Sequence, residues 1–167
     1  MAKNCHNNFT ISHNDPAMIE RFRRGWDAGG VFNEFIPIPD ELKNAESPCR
    51  DDELKAANIQ KYGAECWYEW SLMNWGNKRD AGKYDGDIWE NGNGLYGRFS
   101  SAWRPPIQAF EKLGELGFLY QLTYDEPGFG LTGMISWDGV SAHAEHYQYD
   151  LDVLRDEGLD WRDVIPK

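Results

Sequence analysis

The spacing of apolar and polar residues along the chain predicts strands that alternate with helices. Residues 7–12 alternate polar and apolar side chains, which is typical of a half-buried strand. Asn14-Asp15-Pro16 then favours the start of a helix, because Asp15 can accept a hydrogen bond from a free backbone amide and proline fits the first helical position. We expect Gly29-Gly30 to end this helix.

The middle of the chain predicts two extended regions with helices between them. Residues 31–38 form an apolar run that is closed by Pro37 and Pro39, which favours a second extended segment. Further elements are predicted as helices at 52–62 and 66–75 and as strands at 84–89 and 95–103. The polar stretch that begins near residue 40 predicts a helical insertion at about 40–80 within one domain spanning 1–167.

The last third of the chain predicts one helix followed by a β-meander. Pro105-Pro106 opens a helix with apolar residues along one side, and Gly117 is placed to cap it. Strand-like runs follow at 118–124, 131–137 and 140–147, and Asp138-Gly139 is a strong hairpin signal. The whole pattern predicts an α+β fold, with an antiparallel sheet, helices packed on one face and a C-terminal β-meander. Residues 150–167 are expected to add a short closing helix.

Composition fits one folded domain in the cytoplasm. The chain has 167 residues, of which 41% are hydrophobic and 14% aromatic, enough for one core. Its first residues lack a basic, then apolar signal peptide, and no apolar run is long enough to span a membrane. The cysteines, Cys5, Cys49 and Cys66, are odd in number and widely spaced. We therefore expect reduced thiols rather than disulfides or a metal site, with Cys66 in the core.

Charge limits the partners that the chain can bind. The formal net charge is −11, and residues 125–167 contain ten acidic and three basic side chains. Such a field repels nucleic-acid phosphates and acidic membranes, which disfavours direct DNA binding as a main activity. The same field attracts a basic surface of a partner.

Several short motifs resemble one family. They are Asn4-Cys5-His6-Asn7, Phe32-Asn33 with Ile36-Pro37-Ile38-Pro39, Trp67-Tyr68-Glu69-Trp70, Asn74-Trp75-Gly76-Asn77-Lys78 with Asp80-Ala81, Ala102-Trp103-Arg104-Pro105-Pro106, and Tyr124-Asp125-Glu126 before Gly130. In this order they resemble the phage and plasmid YubB-like family with a ferredoxin-like domain. The resemblance implies a ferredoxin-like sandwich carried on a mobile element, with no established reaction to transfer. Arg79 stands where that family usually has an aromatic residue.

Candidate chemical sites are weak in this sequence. Three cysteines cannot supply the four thiolates of an iron–sulfur cluster, so no cofactor is expected. His143 and His146 are three residues apart on a predicted strand, where they would point to opposite faces and could not share a metal ion. Cys5-His6 lacks a neighbouring oxyanion hole. We therefore predict neither a catalytic residue nor a metal site.

The leading functional hypothesis follows from charge and from the resemblance. It is a non-enzymatic mobile-element protein that inhibits a host nucleic-acid-targeting defence system, of the CRISPR or restriction type, by presenting a surface that mimics nucleic acid. The expected partner is a basic surface of a nucleic-acid-binding protein complex. The acidic residues predicted to contact it are Asp125, Glu126, Asp138, Asp150, Asp152, Asp156, Glu157 and Asp160. Trp75 and Lys78 are predicted as further contacts, because a Gly-containing turn would expose them.

Two alternatives stay open at this point. The first is an enzyme or small-ligand module whose pocket is formed by the loop around 75–87. The second is a single-stranded nucleic-acid binder that stacks bases on tryptophans with cations nearby in sequence. The residues of that second cluster are Trp67, Trp70, Trp75, Trp89 and Trp103 with Lys78, Arg79, Arg98 and Arg104.

Overall fold

The computed structural model describes residues 4–148. The strands are β1 (Asn4–Ser12), β2 (Gly86–Asn91), β3 (Gly94–Ala102), β4 (Leu119–Glu126), β5 (Leu131–Trp137) and β6 (Ala142–Gln148). The helices are α1 (Pro16–Asp27), α2 (Val31–Phe35), α3 (Asp40–Lys43), α4 (Asp52–Tyr62), α5 (Trp67–Asn74) and α6 (Ile107–Glu115). Within 4–148, no helix has the length and apolarity needed to cross a membrane.

All six strands form one antiparallel sheet, which confirms the predicted α+β class. The strand order is β2-β3-β1-β4-β5-β6, so the first strand lies in the interior of the sheet. Phe9 on β1 faces Gly97 on β3 and Leu122 on β4. Buried and exposed positions alternate along β1, and this places its apolar residues on one face.

The core lies between that face and the helices. The Phe9 ring packs 5.8 Å from Phe22 and 6.0 Å from Trp26 of α1, measured between ring centres. It also lies 5.8 Å from Phe110 of α6. Phe32 of α2 contacts Phe110 at 6.4 Å. Because α1, α2 and α6 all reach the same set of rings, these helices cover the same face of the sheet.

Local signals set the limits of α1 and α6 as predicted. The Asp15 carboxylate accepts a hydrogen bond from the amide of Ala17 at 2.9 Å, and Pro16 occupies the first helical position. The chain leaves α1 through Gly29, whose φ is 84°, and it leaves α6 through Gly117, whose φ is 94°. Both glycines adopt the left-handed conformation that other residues rarely take.

The prediction of an extended segment at 31–38 is wrong, because residues Val31–Phe35 form the short helix α2. The amide of Val31 donates to the carbonyl of Ala81 at 2.9 Å. The next two amides, of Phe32 and Asn33, donate to the carboxylate of Asp80. A distant loop thus supplies the acceptors that a helix start needs, and this tertiary cap overrides the local extended preference.

Helices α3, α4 and α5 fall within the stretch predicted as a helical insertion. Asp51 caps α4 by accepting the amides of Glu53 and Leu54 at 3.0 and 3.1 Å. Within α4 only Asn58 is buried. The predicted closing helix at 150–167 lies outside the described residues.

All three cysteines are free and buried. Cys5 lies on β1, and Cys66 immediately precedes α5 in the core, as predicted. Burial raises the pKa of the Cys5 thiol to about 12. Cys5 is therefore protonated at neutral pH and is a poor nucleophile.

Candidate functional site

The loop that joins α5 to β2 is anchored in the core. Trp75 is only 3% exposed, and its indole N–H donates to the carbonyl of Ile36 at 3.0 Å. The ring also packs against Phe32 and Trp70. The exposure predicted for Trp75 is therefore wrong, since this buried side chain fixes the loop to α2 and α5 and cannot reach a partner.

Asn77 ties the same loop to the end of β3. Its side chain is fully buried, and its amide N–H groups donate to the carbonyls of Ala102 and Arg104, both at 2.8 Å. Its amide oxygen accepts the N–H of Ala102 at 3.2 Å. One side chain therefore holds the backbone on both sides of Trp103. Lys78, which follows Asn77, is half-buried.

Asp80 completes the loop by capping α2. Its carboxylate accepts the amides of Phe32 and Asn33 at 2.7 and 2.8 Å and that of Ala81 at 2.7 Å. Burial raises the pKa of Asp80 to about 6, and the three amides offset only part of that shift. Trp75, Asn77 and Asp80 thus have structural partners, which disfavours the predicted pocket at the start of the 75–87 loop.

Trp103 is exposed and has an unusual backbone conformation. Its φ is 70°, and among residues 4–148 it is the one non-glycine residue with positive φ. A bulky side chain in this region costs about 1–2 kcal/mol relative to a right-handed or extended conformation. The ring is nevertheless 42% exposed, so core packing does not explain the strain.

Phe129 lies beside Trp103 and is held by Glu126. The two rings are 5.9 Å apart at an angle of 31°, and Phe129 is 48% exposed. Glu126 is 1% exposed, and its carboxylate accepts the amides of Gly128 and Phe129 at 3.2 and 2.5 Å. Glu126 was predicted as part of an acidic contact surface, and this placement is wrong because its side chain turns inward to shape the loop.

Three cations are carried by the backbone next to this aromatic pair. Arg104 follows Trp103 directly, while Lys78 and Arg79 follow Asn77, whose side chain binds the backbone of Ala102 and Arg104. Arg79 donates to the side-chain oxygen of Asn4 at 3.3 Å. None of the three cations pairs with a carboxylate in the described part of the chain. We call this group the end patch, and it consists of Lys78, Arg79, Trp103, Arg104 and Phe129.

The second candidate surface is the sheet face opposite α1, α2 and α6, which we call the open face. The strand register directs a mixed set of side chains toward it. They are His6, Asn8, Thr10, Asp87, Trp89, Tyr96, Arg98, Gln121, Thr123, Asp125, Met134, His143, Glu145 and Tyr147. Trp89 and Tyr96 stack at 5.5 Å. The guanidinium carbon of Arg98 lies 5.4 Å from the centre of the Trp89 ring, and one of its nitrogens lies 3.4 Å from Asp87.

The remaining acidic residues of the prediction do not form one described surface. Asp125 lies on the open face opposite His6 and Thr132 and is half-buried. Asp138 is exposed in the β5–β6 turn, where the amides of Ser141 and Val140 hold the pKa of its carboxyl below the usual value. The other predicted contacts lie outside the described residues; they are Asp150, Asp152, Asp156, Glu157 and Asp160.

The two C-terminal histidines point to opposite faces of β6, as their spacing predicts. His143 lies 3.0 Å from the carboxylate of Glu145 on the open face. His146 bonds to the hydroxyl of Tyr124 on the other face. Across residues 4–148, no three His, Cys, Asp or Glu side chains group in a way that could hold a metal ion.

The described residues also line several clefts. One of about 530 Å³ lies between α1 and the β2–β3 turn, with Arg23 and Glu90 in its lining. Another of about 320 Å³ opens on the open face between His6 and Arg98, with Asp85 and Asp87 on its wall. Burial raises the pKa of Asp85, while the Arg79 guanidinium lowers it in part. The end of the 75–87 loop thus lines this cleft.

Phe129 is not among the residues predicted as contacts, and Trp103 is predicted in one cluster with Trp70 and Trp75, which lie in the core. The available signal was Phe129 between Gly128 and Gly130, where a large aromatic residue in a turn is difficult to bury. No protein-family model, curated protein or solved structure matches the chain. The described surfaces and the sequence are therefore the basis for a functional proposal.

Proposed function

We propose that this chain is a mobile-element protein that binds a macromolecule of its bacterial host and thereby inhibits a nucleic-acid-targeting defence system of the CRISPR or restriction type. The binding surface is acidic and occupies a basic channel that otherwise holds DNA or RNA. The site of action is the cytoplasm of a phage-infected or plasmid-bearing cell.

The proposal includes a ferredoxin-like domain of the YubB-like family. The order β1-α1-β2-β3-α6-β4, with the four strands arranged as β2-β3-β1-β4, supports that topology. Strands β5 and β6 extend the same sheet as an antiparallel meander. The end of the sheet where β1 begins and β3 and β4 finish brings together motifs from four parts of the chain that carry the family resemblance.

The observation that carries the proposal is the acidic open face. Its strand residues include the carboxylates of Asp87, Asp125 and Glu145, whereas Arg98 is its one lysine or arginine in the described strands. Residues 4–148 contain 22 acidic and 13 basic side chains, so the field around this face is negative. A partner with a basic groove is steered toward such a face, and the association rate rises as ionic strength falls.

Exposed aromatic rings add apolar contact area to this face. Trp89 and Tyr96 form a stacked pair beside the Asp87 carboxylate. Tryptophan and tyrosine are frequent energetic centres of protein interfaces, because they bury a large area and lose little conformational entropy. The face therefore combines carboxylates for steering with rings that suit a central contact.

A pull-down with the full chain tests the proposal. The bait is incubated with host lysate at low and high salt, and recovered complexes are identified by mass spectrometry and then assayed for binding of their own nucleic acid. We expect recovery of a basic nucleic-acid-binding complex at low salt. Nucleic acid and the chain should compete for binding to that complex. The double variant D87N/E145Q should slow association several-fold.

The matched control removes the same charge elsewhere. The variant E53Q/E111Q neutralises two exposed carboxylates on α4 and α6, and it should bind as the unmodified chain does. Recovery of chaperones alone would contradict the proposal. So would a captured complex that binds the chain and its nucleic acid at the same time.

A further inference from the structure

The end patch is a preformed surface that the open-face proposal does not use. Its rings, Trp103 and Phe129, are both more than 40% exposed and lie 5.9 Å apart. Two exposed rings in contact form a candidate recognition surface, because water solvates them poorly. The patch lies at one end of the sheet and not on the open face, so a function here is independent of the acidic surface.

Buried polar side chains fix the position of each ring. Asn77 binds the backbone before and after Trp103, and Glu126 binds the amide of Phe129 itself. Both clamps are at most 1% exposed. The backbone that carries each ring is therefore held in place before any ligand arrives, which lowers the entropic cost of binding.

The cations of the patch give it a charge opposite to that of the whole chain. Arg104 follows Trp103 in the chain, and Lys78 and Arg79 follow Asn77, whose side chain binds the backbone on both sides of Trp103. None of these cations forms an ion pair with a carboxylate among residues 4–148. By contrast, the guanidinium of Arg98 beside Trp89 already has Asp87 as a partner. An aromatic surface next to cations that form no ion pair among residues 4–148 suits a ligand that combines a flat ring with a negative group.

The geometry points to a nucleotide as that ligand, taken as an unpaired unit of a single strand or as a free mononucleotide. Its base stacks on the outer side of Trp103, and its phosphate binds Lys78 and Arg104. Stacked atoms require about 3.5 Å on each side, so the base cannot enter between Trp103 and Phe129 at their observed separation. Phe129 instead supports the Trp103 ring from behind.

The overall charge limits the size of the ligand. A duplex would bring many phosphates close to the acidic surface, where they would be repelled. A short single strand brings few phosphates and offers unstacked bases. We therefore expect binding of one or a few nucleotides, with no preference for a particular base.

Fluorescence anisotropy with the full chain tests the site. The probe is a fluorescein-labelled 12-nucleotide single strand of mixed sequence at low salt. We expect W103A to weaken binding roughly 5- to 100-fold, the range measured for loss of one stacked base. The variant K78Q/R104Q should reduce the slope of log affinity against log salt by about 1 to 1.5.

The matched control is W89A/R98Q, which removes the other exposed tryptophan among residues 4–148 and its cation, and it should leave binding unchanged. Circular dichroism confirms that each variant is folded. Loss of binding in W89A/R98Q but not in W103A would overturn the proposal, as would the absence of binding by the unmodified chain at 50 mM salt.

Competition experiments with the bound probe distinguish free nucleotides from strands as the source of the ligand. They also test whether the site recognises negative charge alone. Displacement of the probe by millimolar adenosine monophosphate supports a site for free nucleotides. If the probe binds and adenosine monophosphate does not displace it, the site is one for strands. Displacement by polyglutamate at the same charge concentration as an unlabelled strand would show recognition of charge alone and would overturn the proposal.

Discussion

Two exposed aromatic pairs lie on this protein, and they are built in different ways. Trp89 and Tyr96 belong to neighbouring strands, stand opposite each other in the register and stack at 5.5 Å. Trp103 and Phe129 belong to two loops and meet at 5.9 Å. The exposed fractions are similar, at 44% and 40% for the first pair and 42% and 48% for the second.

The difference lies in what holds the backbone of each pair and in the cations nearby. The regular strand ladder places Trp89 and Tyr96, and Arg98 already covers part of Trp89. The second pair depends on buried polar clamps and on a left-handed backbone at Trp103. Exposure alone therefore does not identify a binding site. A strained backbone conformation and a cation without a carboxylate partner are more informative signs of a binding site.

The largest expected effect comes from removing the clamp behind Trp103. We expect N77A to lower the free energy of unfolding by roughly 2–4 kcal/mol, because it removes three buried hydrogen bonds to the backbone of Ala102 and Arg104. Urea denaturation measures this. The exposed Asn93, substituted as N93A, is the control and should change stability by less than about 0.5 kcal/mol. Equal effects in both variants would show that the clamp is not structural.

Next in size is a pH effect at Asp80, on the same loop. Its pKa of about 6 in the folded protein exceeds its value in the unfolded chain, so the folded state binds the proton more tightly. The resulting stability is fully present below about pH 4 and is lost as the pH rises through 6. We expect the unmodified chain to lose up to about 3 kcal/mol relative to D80N over this window.

Urea denaturation at several pH values measures that difference. D138N is the control of opposite sign, since the pKa of Asp138 is lowered by amide donors in its turn. Its stabilising effect is present above the unfolded pKa and is lost as the pH falls. A constant difference between D80N and the unmodified chain from pH 4 to 6 would contradict the assignment.

A smaller effect on stability should distinguish the left-handed backbone at Trp103 from the regular strand backbone at Tyr96. Glycine adopts positive φ without strain, so W103G should be more stable than W103A by about 1 kcal/mol. On the regular strand β3 the order should reverse, with Y96G less stable than Y96A by roughly the same amount. Thermal or urea unfolding of the four variants checks both orders. If the glycine variant were the more stable one at both positions, or at neither, the backbones of the two pairs would not differ in strain.

The smallest expected effect is the coupling within each pair. A double-mutant cycle on Trp89 and Tyr96 should give about 0.5–1 kcal/mol of favourable coupling, because their rings stack across the two strands. The corresponding cycle on Trp103 and Phe129 should give less than about 0.5 kcal/mol, since those rings lie on two loops and are not opposed across paired strands. A larger coupling in the loop pair would mean that the rings position each other without help from the clamps.

Features with a local cause could be predicted from the sequence. The cap by Asp15, the turn at Asp138-Gly139 and the strand alternation around Phe9 each depend on residues that are close in sequence. The segment at 31–38 could not be predicted, because the carboxylate that caps α2 comes from Asp80, 48 residues after Phe32.

The candidate sites show the same limit. Tryptophan and lysine in one short loop suggested a contact, yet Trp75 is directed into the core by the Ile36 carbonyl, 39 residues away. Glu126 is predicted as an exposed charge, because no neighbouring residue in the sequence indicates that its side chain turns back toward its own loop. The end patch combines residues from three separate motifs, and only the folded chain shows that they meet.

The three buried thiols can report local unfolding of the segments in which they lie. Cys5 lies on a central strand, Cys49 lies between α3 and α4, and Cys66 lies at the start of α5. Alkylating reagents react with exposed thiolates, so each cysteine is labelled only when its surroundings open. Mass spectrometry of the labelled peptides would then follow the sheet and the helical segment separately, without introducing any probe. Faster labelling at Cys49 than at Cys5 would indicate that the helical segment opens while the sheet stays intact.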